Sequence, residues 1–355
     1  NDQRLTVMTW NLFLGGDIDP VLKVGFQNPE LLADTASGVW EEVLANDFRD
    51  RAVAVVDAIE AAAPDLIGVQ ELACFRDRAM DPATGSATLL ETLDYQAILE
   101  EELRSRGLSY AFAAVVENTA ASVPTRGIRE KGRFVPTRRV EMTLQDAILV
   151  RYSVRVENTA TGHYQAGVSL GINPSTPGPD RTRGWTRLDT RVGEVPVHFV
   201  NTHLETQPFL PVQLEQTREL LNEVVPPSEG ITILVGDFNS DAAASAGARS
   251  WTPTYEEITK AGFEDAWVVS RGEAEGGFTC SRSSDLKGLD RRLDQRIDFI
   301  FFRGLGPATP DAEAGSWHLV EAEVVGADPD AGRTPDGRWP SDHAGVVAAF
   351  SLSRP

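Results

Sequence analysis

Polar and charged side chains follow several apolar segments of this sequence, at points where a strand would end. Thr9-Trp10-Asn11 ends the first such segment, and Gln70-Glu71 ends the second. Later segments end in Asn201-Thr202-His203-Leu204-Glu205 and Gly236-Asp237-Phe238-Asn239, and Ser341-Asp342-His343 precedes the last one. Chemical groups are often carried by the loops that follow such rigid elements, so these side chains are candidates for one site.

One acidic residue lies inside an apolar run rather than at its end. Asp298 stands within Ile297-Asp298-Phe299-Ile300, and a buried carboxylate without a partner costs several kcal/mol. A histidine would satisfy it, and a catalytic histidine usually needs a carboxylate to fix its tautomer. Asp298, Asp342 and His343 therefore offer the parts of a carboxylate–imidazole arrangement.

These residue types fit the hydrolysis of a phosphate ester at a metal ion. Mg²⁺ takes oxygen ligands, and Glu71 at a strand end is a natural first ligand. A phosphate under attack gains negative charge, which a cation and neutral donors such as Asn or His stabilise. The attacking water needs a carboxylate or imidazole within hydrogen-bond reach. Each motif alone is weak evidence, because an Asn after a strand is usually a turn residue.

Short apolar runs rich in β-branched residues recur along the chain, which predicts a large content of sheet. Strands are predicted at residues 4–10, 65–70, 146–150, 153–157, 185–191, 195–201, 231–236, 297–302 and 345–352. Helices are predicted at residues 48–63, 89–106, 212–225 and 254–261. Three stretches rich in Pro, Gly and polar residues are predicted to be long loops, at 117–136, 173–184 and 326–340.

The composition indicates a large globular protein. The chain has 355 residues, of which 41% are hydrophobic, and it contains no apolar run long enough to span a bilayer. No stretch has the composition of a free linker, so a single domain over residues 1–355 is predicted. The net charge of −20 repels nucleic acid and anionic membranes on average.

Basic residues nevertheless gather in two segments that lead into predicted strands. They are Arg126, Arg129, Lys131, Arg133, Arg138 and Arg139, followed by Arg282, Lys287, Arg291, Arg292 and Arg296. If these segments lie near a metal site, they would draw an anionic substrate inward. On this reading Arg138 and Arg139 bind the substrate phosphate. The alternative is that the arginines pair with surplus acidic residues, and the pattern favours neither reading.

The chain has two cysteines, which are too few to form a disulfide framework. Cys74 lies three residues after Glu71, and Cys280 precedes the Ile-Asp motif. A bridge between them would indicate an oxidising compartment, whereas two buried thiols would carry no such meaning. Both alternatives are open at the level of sequence.

Taken together and in this order, the motifs resemble the endonuclease/exonuclease/phosphatase superfamily, which has the deoxyribonuclease-I-like fold. The resemblance runs from Thr9 to His343, nearly the whole chain. It implies an α/β fold, a four-layer α/β sandwich of two mixed β-sheets flanked by helices, with the active site at one end. One departure is Phe13, which stands where apurinic-site repair enzymes of this superfamily carry an acidic residue.

The resemblance also implies a set of metal ligands. Glu71 would be the principal ligand of Mg²⁺ or Mn²⁺, with Asn11 beside it. Asp237 would position or deprotonate the attacking water and contact a second ion, and Asp342 would complete the metal region. The number of ions, one or two, is open.

The remaining implied roles concern the phosphate. His203 would donate to the phosphate or to the leaving group, and Asn239 would hold a phosphate oxygen, with Asn11 and Asn201 as further phosphate-binding residues. Asp298 would orient His343, which is an alternative to Asp237 as the base.

A divalent-metal-dependent phosphodiesterase, with a nuclease as one form, is the leading functional hypothesis. The first alternative is a sphingomyelinase-like or small-molecule phosphoesterase, because an acidic chain disfavours extended nucleic-acid binding. A non-catalytic binding module on the same fold is a distant alternative, since Glu71, Asp237 and His343 are all present. Outside the superfamily, an adhesin-like β-sandwich that binds Ca²⁺ does not explain why His203 and His343 accompany the acids.

The expected substrate is a phosphate ester in a nucleic acid, a lipid head group or a small molecule. A monomer without a stable protein partner is expected, and an extracellular, secreted location is predicted. The motif wording is shared by nucleases, deadenylases and sphingomyelinases, so it does not choose the substrate.

Overall fold

The computed structural model of the protein describes residues 3–25, 27–169, 181–225, 230–272, 276–288, 293–304, 317–328 and 332–352. The strands are β1 Arg4–Asn11, β2 Leu66–Met80, β3 Ala87–Asp94, β4 Tyr110–Glu130, β5 Arg133–Arg151, β6 Val156–His163, β7 Gly184–Val192, β8 Val195–His203, β9 Ile231–Asp237, β10 Glu264–Asp265, β11 Asp298–Arg303, β12 Trp317–Val325 and β13 Gly345–Leu352. The α-helices are α1 Asp19–Val24, α2 Pro29–Ala45, α3 Phe48–Ala62, α4 Tyr95–Ser105, α5 Leu210–Glu219, α6 Thr254–Lys260 and α7 Ala266–Arg271.

Within the described residues, the strands form two mixed β-sheets. The first has the order β12-β13-β1-β2-β5-β4, with β3 also paired to β2, and the second has the order β10-β11-β9-β8-β7-β6. Each sheet contains one parallel pair, β1 with β2 and β8 with β9, among antiparallel neighbours. Parallel neighbours bring the carboxyl ends of their strands to the same edge, which is where the polar motifs occur.

Three apolar clusters define four layers. The cluster between the sheets includes Val7, Ile148, Phe199 and Val235, all buried. A second cluster packs α2, α3 and α4 on the outer face of the first sheet, and a third packs α6 and the helical turn Leu220–Val224 that follows α5 on the outer face of the second. The structure therefore confirms the predicted sandwich of two mixed sheets flanked by helices. None of the helices in the described part of the chain is long and apolar enough to cross a membrane.

Most predicted strands coincide with observed ones, but the predicted loop at residues 117–136 is wrong. These residues form the turn half of the long hairpin of β4 and β5, whose ladder is interrupted by register shifts around Pro124 and Gly127. Bulges of this kind let a strand accommodate residues that otherwise break a ladder. Of the other two predicted loops, residues 173–180 and 329–331 lie outside the described residues.

Two helical regions also differ from the sequence-based expectation. Residues 87–94 form β3 rather than the start of the predicted helix, which begins only at Tyr95. Helix α2 was not predicted, although it begins with a strong signal. The Asn28 side chain accepts a hydrogen bond from the backbone N–H of Leu31, and Pro29 occupies the first helical position.

The parallel pairing of β8 and β9 depends on a glycine. Gly236 lies opposite Thr202 with φ of 143°, and a Cβ at this position would overlap the carbonyl oxygen of Thr202. Backbone, unlike a flexible side chain, cannot move away at low cost. Gly236 therefore fixes how closely the two strands approach just before Asp237.

We predict that Gly236→Ala lowers the free energy of unfolding by about 3 kcal/mol or more, through strain and lost pairing. Gly38→Ala is the matched control, because Gly38 is exposed on α2 and a Cβ there meets nothing within 4 Å. The control should be neutral or stabilising by about 0.5–1 kcal/mol, since alanine favours a helix more than glycine does. Urea denaturation measures both, and equal stability of the two variants would contradict the account.

Candidate active site

Three terminal residues of neighbouring strands in the second sheet lie side by side at one edge of that sheet. His203 at the end of β8 pairs with Asp237 at the end of β9, and Asp237 pairs with Asp298 at the start of β11. All three side chains are buried. Like charges directly opposite each other in a ladder are destabilising, so Asp237 and Asp298 require a compensating group.

His343 supplies part of that compensation from the segment before β13. Its Nδ1 lies 2.8 Å from Asp298 Oδ2, and its Nε2 lies 3.9 Å from Asp237 Oδ2. Its Nε2 is also 3.4 Å from the thiol of Cys280. The predicted partnership between Asp298 and His343 is thus present in the structure, and it holds the ring between the two carboxylates.

The first sheet contributes Asn11 and Glu71. Asn11 ends β1 and lies opposite Gln70, so Glu71 is one residue further along β2. Glu71 sits at a register shift between Val69 and Leu72 and has φ of 56°. A non-glycine residue with positive φ is strained, and such strain is concentrated at functional sites. The bulge turns Glu71 out of the ladder toward the end of the sandwich.

A network of hydrogen bonds joins the two sheets at this end. Asn11 Nδ2 donates to Glu71 Oε1 at 3.2 Å and to Asp237 Oδ2 at 3.0 Å. The backbone N–H of Leu14 donates to Glu71 Oε2 at 2.9 Å. Asn11 therefore lies beside Glu71, as expected, and its amide separates two carboxylates from different sheets.

Asn239 extends the same network on the other side of Asp237. Its backbone N–H donates to Asp237 Oδ1 at 2.9 Å, and its side-chain amide donates to the carbonyl oxygen of Leu204 at 3.0 Å. Asn239 has φ of 48°, another strained position beside the site. Its half-buried side chain lines the same cavity as Glu71 and Asp237.

Burial and crowding raise the pKa values of the carboxyl groups. Burial and the neighbouring charge of Asp298 raise the pKa of Asp237 to about 7, against the opposing effect of His343. Burial raises the pKa of Asp342 to about 6, and the charge of Glu71 contributes in the same direction. Nearby positive charge would therefore stabilise the ionised forms of Asp237 and Asp342.

The two histidines are shifted in opposite directions. Burial opposes charge on His343, but Asp298 and Asp342 outweigh it and raise its pKa well above the ordinary range. Burial and the positive charge of Arg183 hold the pKa of His203 well below the ordinary range. These opposite shifts favour the protonated form of His343 and the neutral form of His203, whose Nε2 lies 3.4 Å from Asp237 Oδ2.

Basic residues near the site come from a segment that the sequence analysis did not select. Arg181 and Arg183 line the same cavity as Glu71, Asp237 and His203. Both arginines pair with Glu205, which is fully buried, at 2.7 and 3.6 Å. In the sequence, Glu205 after His203 is the feature that points to these arginines, because a buried carboxylate requires a cationic partner.

The structure does not support Asn201 as a phosphate-binding residue. Its Nδ2 donates to the backbone carbonyls of Val69 and Ala147 at 3.2 and 3.0 Å, and its Oδ1 accepts from Gln70 Nε2 at 2.6 Å. The side chain is fully buried between the two sheets, and Gly68 leaves room for it. Asn201 therefore connects the sheets behind the site.

Arg138 and Arg139 are also misassigned as phosphate-binding residues. Arg138 pairs with Ala79 in the ladder between β5 and β2, which is about 26 Å along β2 from Glu71 at 3.3 Å per residue. Its guanidinium makes a bidentate pair with the buried carboxylate of Asp77. Arg139 donates to Ser122 instead. Arg138 thus pairs with an acidic residue, as the alternative reading of the basic segment expects, whereas Arg139 bonds to a serine.

Two described arginines of the second basic segment have structural roles near the site. Arg282 donates to the carbonyl oxygens of Ser341 and His343, and its guanidinium stacks on Trp339. Arg296 pairs with Asp265. Arg291 and Arg292 lie outside the described residues. Arg282 thus holds the segment that carries His343.

Cys74 and Cys280 are both free thiols, so the structure contains no bridge between them. Cys74 lies within β2, opposite Asp94 of β3, while Cys280 lies beside His343. Burial raises the pKa of Cys280 to about 11. The thiol is therefore neutral beside the imidazolium.

The residues of the site fit a divalent cation. Within the described part of the chain, neither lysine nor arginine forms an ion pair with Glu71, Asp237 or Asp342. Asp298 Oδ1 is buried without a hydrogen-bond partner. Carboxylate oxygens, together with an amide, are the donor set that Mg²⁺ and Mn²⁺ prefer.

The sequence comparison assigns the chain to a family. Residues 8–343 match the endonuclease/exonuclease/phosphatase family, so the chain belongs to that family. No curated protein matches the sequence.

Solved structures show the same fold at low sequence identity. The structure of D. rerio TDP2 complexed with a single-strand DNA product is 17% identical, covers 98% of this chain and 99% of that chain, and has a TM-score of 0.53. An endonuclease/exonuclease/phosphatase from Beutenbergia cavernae DSM 12333 is 19% identical over 99% of this chain and 72% of that chain, with a TM-score of 0.53. A family protein from Leptotrichia buccalis is 15% identical over 97% of this chain and 98% of that chain, also with a TM-score of 0.53.

We predict that Arg138→Met destabilises the protein by about 2–4 kcal/mol, because it leaves the buried Asp77 carboxylate unpaired. Arg139→Met should change the stability by less than about 0.5 kcal/mol, since this side chain is exposed. Neither variant should change kcat/KM on a phosphodiester. A rise in KM of the folded Arg139→Met enzyme would restore the phosphate-binding assignment.

Metal-free protein is predicted to lose stability as the pH rises. The pKa of Asp237 is about 7 when folded and ordinarily 3.8, so the folded state binds more protons between these values and is favoured at the acidic end. Thermal melting in EDTA measures this slope. Asp237→Asn should reduce the slope and leave the part due to Asp342 and Asp146, whose pKa values are also raised, whereas Asp34→Asn, an exposed position on α2, should not change it.

Mg²⁺ should raise the melting temperature of the wild type more at about pH 8 than at about pH 5, because cations bind the ionised carboxylates. An equal Mg²⁺ effect on the wild type and Asp237→Asn would contradict the assignment.

Proposed function

We propose that the protein is a Mg²⁺- or Mn²⁺-dependent phosphodiesterase. The observation that carries the proposal is the set of Glu71, Asp237 and Asp342, buried or half-buried at the end of the sandwich, with raised pKa values for both aspartates. A bound divalent cation would offset the repulsion among these acidic groups, and membership in the family supports a phosphoester as the substrate.

Glu71 would hold the cation, with Asp342 and Asp237 adjoining it and Asn11 fixing the carboxylates. A bound divalent ion polarises the phosphoryl oxygens and stabilises the charge that develops on them. Glu71 is well placed because the Leu14 N–H and the Asn11 amide fix both of its oxygens. Removing hydrogen-bond partners that orient a metal ligand commonly weakens metal binding by about 10- to 100-fold.

Asp237 is the group that we assign to the attacking water. Its Oδ1 is held by the Asn239 N–H and its Oδ2 by Asn11, so the carboxylate is fixed in orientation. Without a metal its pKa is about 7, and a cation beside it would lower this value, so the carboxylate would be ionised and able to accept a proton at neutral pH. The raised pKa of His343 favours its protonated form, so we assign it the role of a cationic donor rather than the base, and Asp298 fixes its ring.

His203 and Asn239 are assigned to the phosphate. A neutral imidazole can donate one hydrogen bond to a phosphoryl or leaving-group oxygen, and burial keeps His203 in this form. The reaction forms a bond from the water oxygen to phosphorus and breaks one ester P–O bond. The proton of the water passes to Asp237, the leaving oxygen takes a proton from solvent, and Asp237 then returns its proton to solvent.

We predict that Asp237→Asn lowers kcat on bis-p-nitrophenyl phosphate by about 10²–10⁴-fold, and that EDTA abolishes turnover. His203→Gln should lower kcat by about 10²–10³-fold, because it removes a donor to the transition state. His198→Gln is the matched control on the same strand, since His198 pairs with Asp189 outside the site. The control should retain full activity.

The assay should include a single-stranded DNA oligonucleotide beside the small diester, since the D. rerio structure holds a DNA product. Turnover that survives both EDTA and Asp237→Asn would contradict the proposed function. Turnover that is lost with His198→Gln as severely as with His203→Gln would contradict the role of His203.

A further inference from the structure

A cavity of about 330 Å³ extends from the candidate site. Glu71, Asp237, His203 and His343 line it at the end of the sandwich. Away from these residues, its walls come from α1, α2 and the β4–β5 hairpin. The volume lies in the range of ligand-binding pockets, roughly 300–1,000 Å³.

The walls beyond the site are predominantly aliphatic. Helices α1 and α2 contribute Val21, Leu22 and Val39, while the hairpin contributes Ala121, Met142 and Leu144. These six side chains are only half-buried, so the cavity leaves apolar surface in contact with water. Covering such surface is favourable by about 25 cal/mol per Å². An apolar group bound here would therefore be stabilised without any specific polar contact.

The apolar walls are continuous with the catalytic groups. Phe75 and Leu144 lie on the same strands, β2 and β5, that carry Glu71 and its neighbour Asp146. A single molecule can therefore place a phosphate at Asp237 and an apolar substituent against the hairpin. A separate site for a second ligand is not needed to explain the cavity.

We propose that the substrate is a phosphodiester in which one ester group carries a flexible aliphatic chain, and that this chain occupies the cavity between α1, α2 and the hairpin. The proposal rests on the proposed function, and it names the substrate class of the same site. Val39, Ala121 and Met142 are then residues that determine specificity.

A polynucleotide fits these walls less well than an alkyl chain does. A nucleic-acid strand needs cations along its backbone, and its sugars and bases need polar partners. Arg138 is bound to Asp77, Arg139 to Ser122, and Arg181 to Glu205. The net charge of −20 also opposes a polyanion. A neutral alkyl chain needs neither cationic nor polar partners, and the negative charge of the protein does not repel it.

The test is a series of p-nitrophenyl phosphodiesters whose second ester group is methyl, butyl, octyl or phenyl, assayed with Mg²⁺. All have the same leaving group, so differences in kcat/KM report on the second group. Octyl ester concentrations are kept below micelle formation, checked by light scattering. We expect kcat/KM to rise by about two- to fourfold per methylene until the chain fills the cavity. The phenyl ester should gain less than the octyl ester.

Ala121→Phe fills the cavity, and Ala120→Phe is its matched control. Both alanines lie on β4, but successive side chains on a strand point to opposite faces, and Ala120 is exposed. Ala121→Phe should lower kcat/KM on the octyl ester about tenfold or more and on the methyl ester less than about twofold. Ala120→Phe should change neither. Thermal melting of both variants shows that each is folded.

Binding gives a readout that does not depend on turnover. Calorimetry should show octyl phosphate binding at least about tenfold more tightly than methyl phosphate in the presence of Mg²⁺, with the difference lost in Ala121→Phe. Turnover of the methyl ester with no dependence on chain length would overturn the chain-binding proposal and leave the phosphodiesterase intact. Preference for the phenyl ester would assign the cavity to an aryl group instead. Chain-dependent binding without turnover of any ester would overturn the proposed function alone.

Discussion

The repulsion among buried carboxylates at one end of the sandwich is the constraint on which the rest of the structure depends. Asp237 and Asp298 are directly opposed in a ladder, and Glu71 and Asp342 approach from the other sheet. One imidazolium, His343, lies among them. The proposed divalent cation would offset this repulsion in a protein whose net charge is already −20.

The surrounding fold holds these groups in place against that repulsion. Gln70 and Asn201 join the two sheets behind the carboxylates, so the sheets cannot separate at this end. Arg51, fully buried on α3, donates to the backbone carbonyls of Leu12 and Pro340. Leu12 is close in sequence to Leu14, which bonds to Glu71, and Pro340 is close in sequence to His343. The cost of burying this arginine is offset because its donors reach carbonyl oxygens.

Most of the site was predictable from sequence, because its residues follow strands in a recognisable order. The contacts between side chains that are far apart in the sequence could not be predicted. Arg138 looked available for phosphate, since nothing in the sequence shows that Asp77 lies beside it across the ladder. Asn201 looked like a surface amide after a strand, yet it is buried between the sheets. The Pro and Gly residues of the hairpin indicated a loop, but bulges around Pro124 let the strand continue past them.

The most direct test of the central claim is the anomalous scattering of Mn²⁺ in crystals of the wild type and of Glu71→Gln. The account predicts one strong peak, or two, within coordination distance of the Glu71 carboxylate in the wild type, and a weakened or absent peak in the variant. Mn²⁺ located only on the surface, in crystals of an enzyme that still requires a divalent ion, would contradict it. The buried carboxylates would then need another source of positive charge.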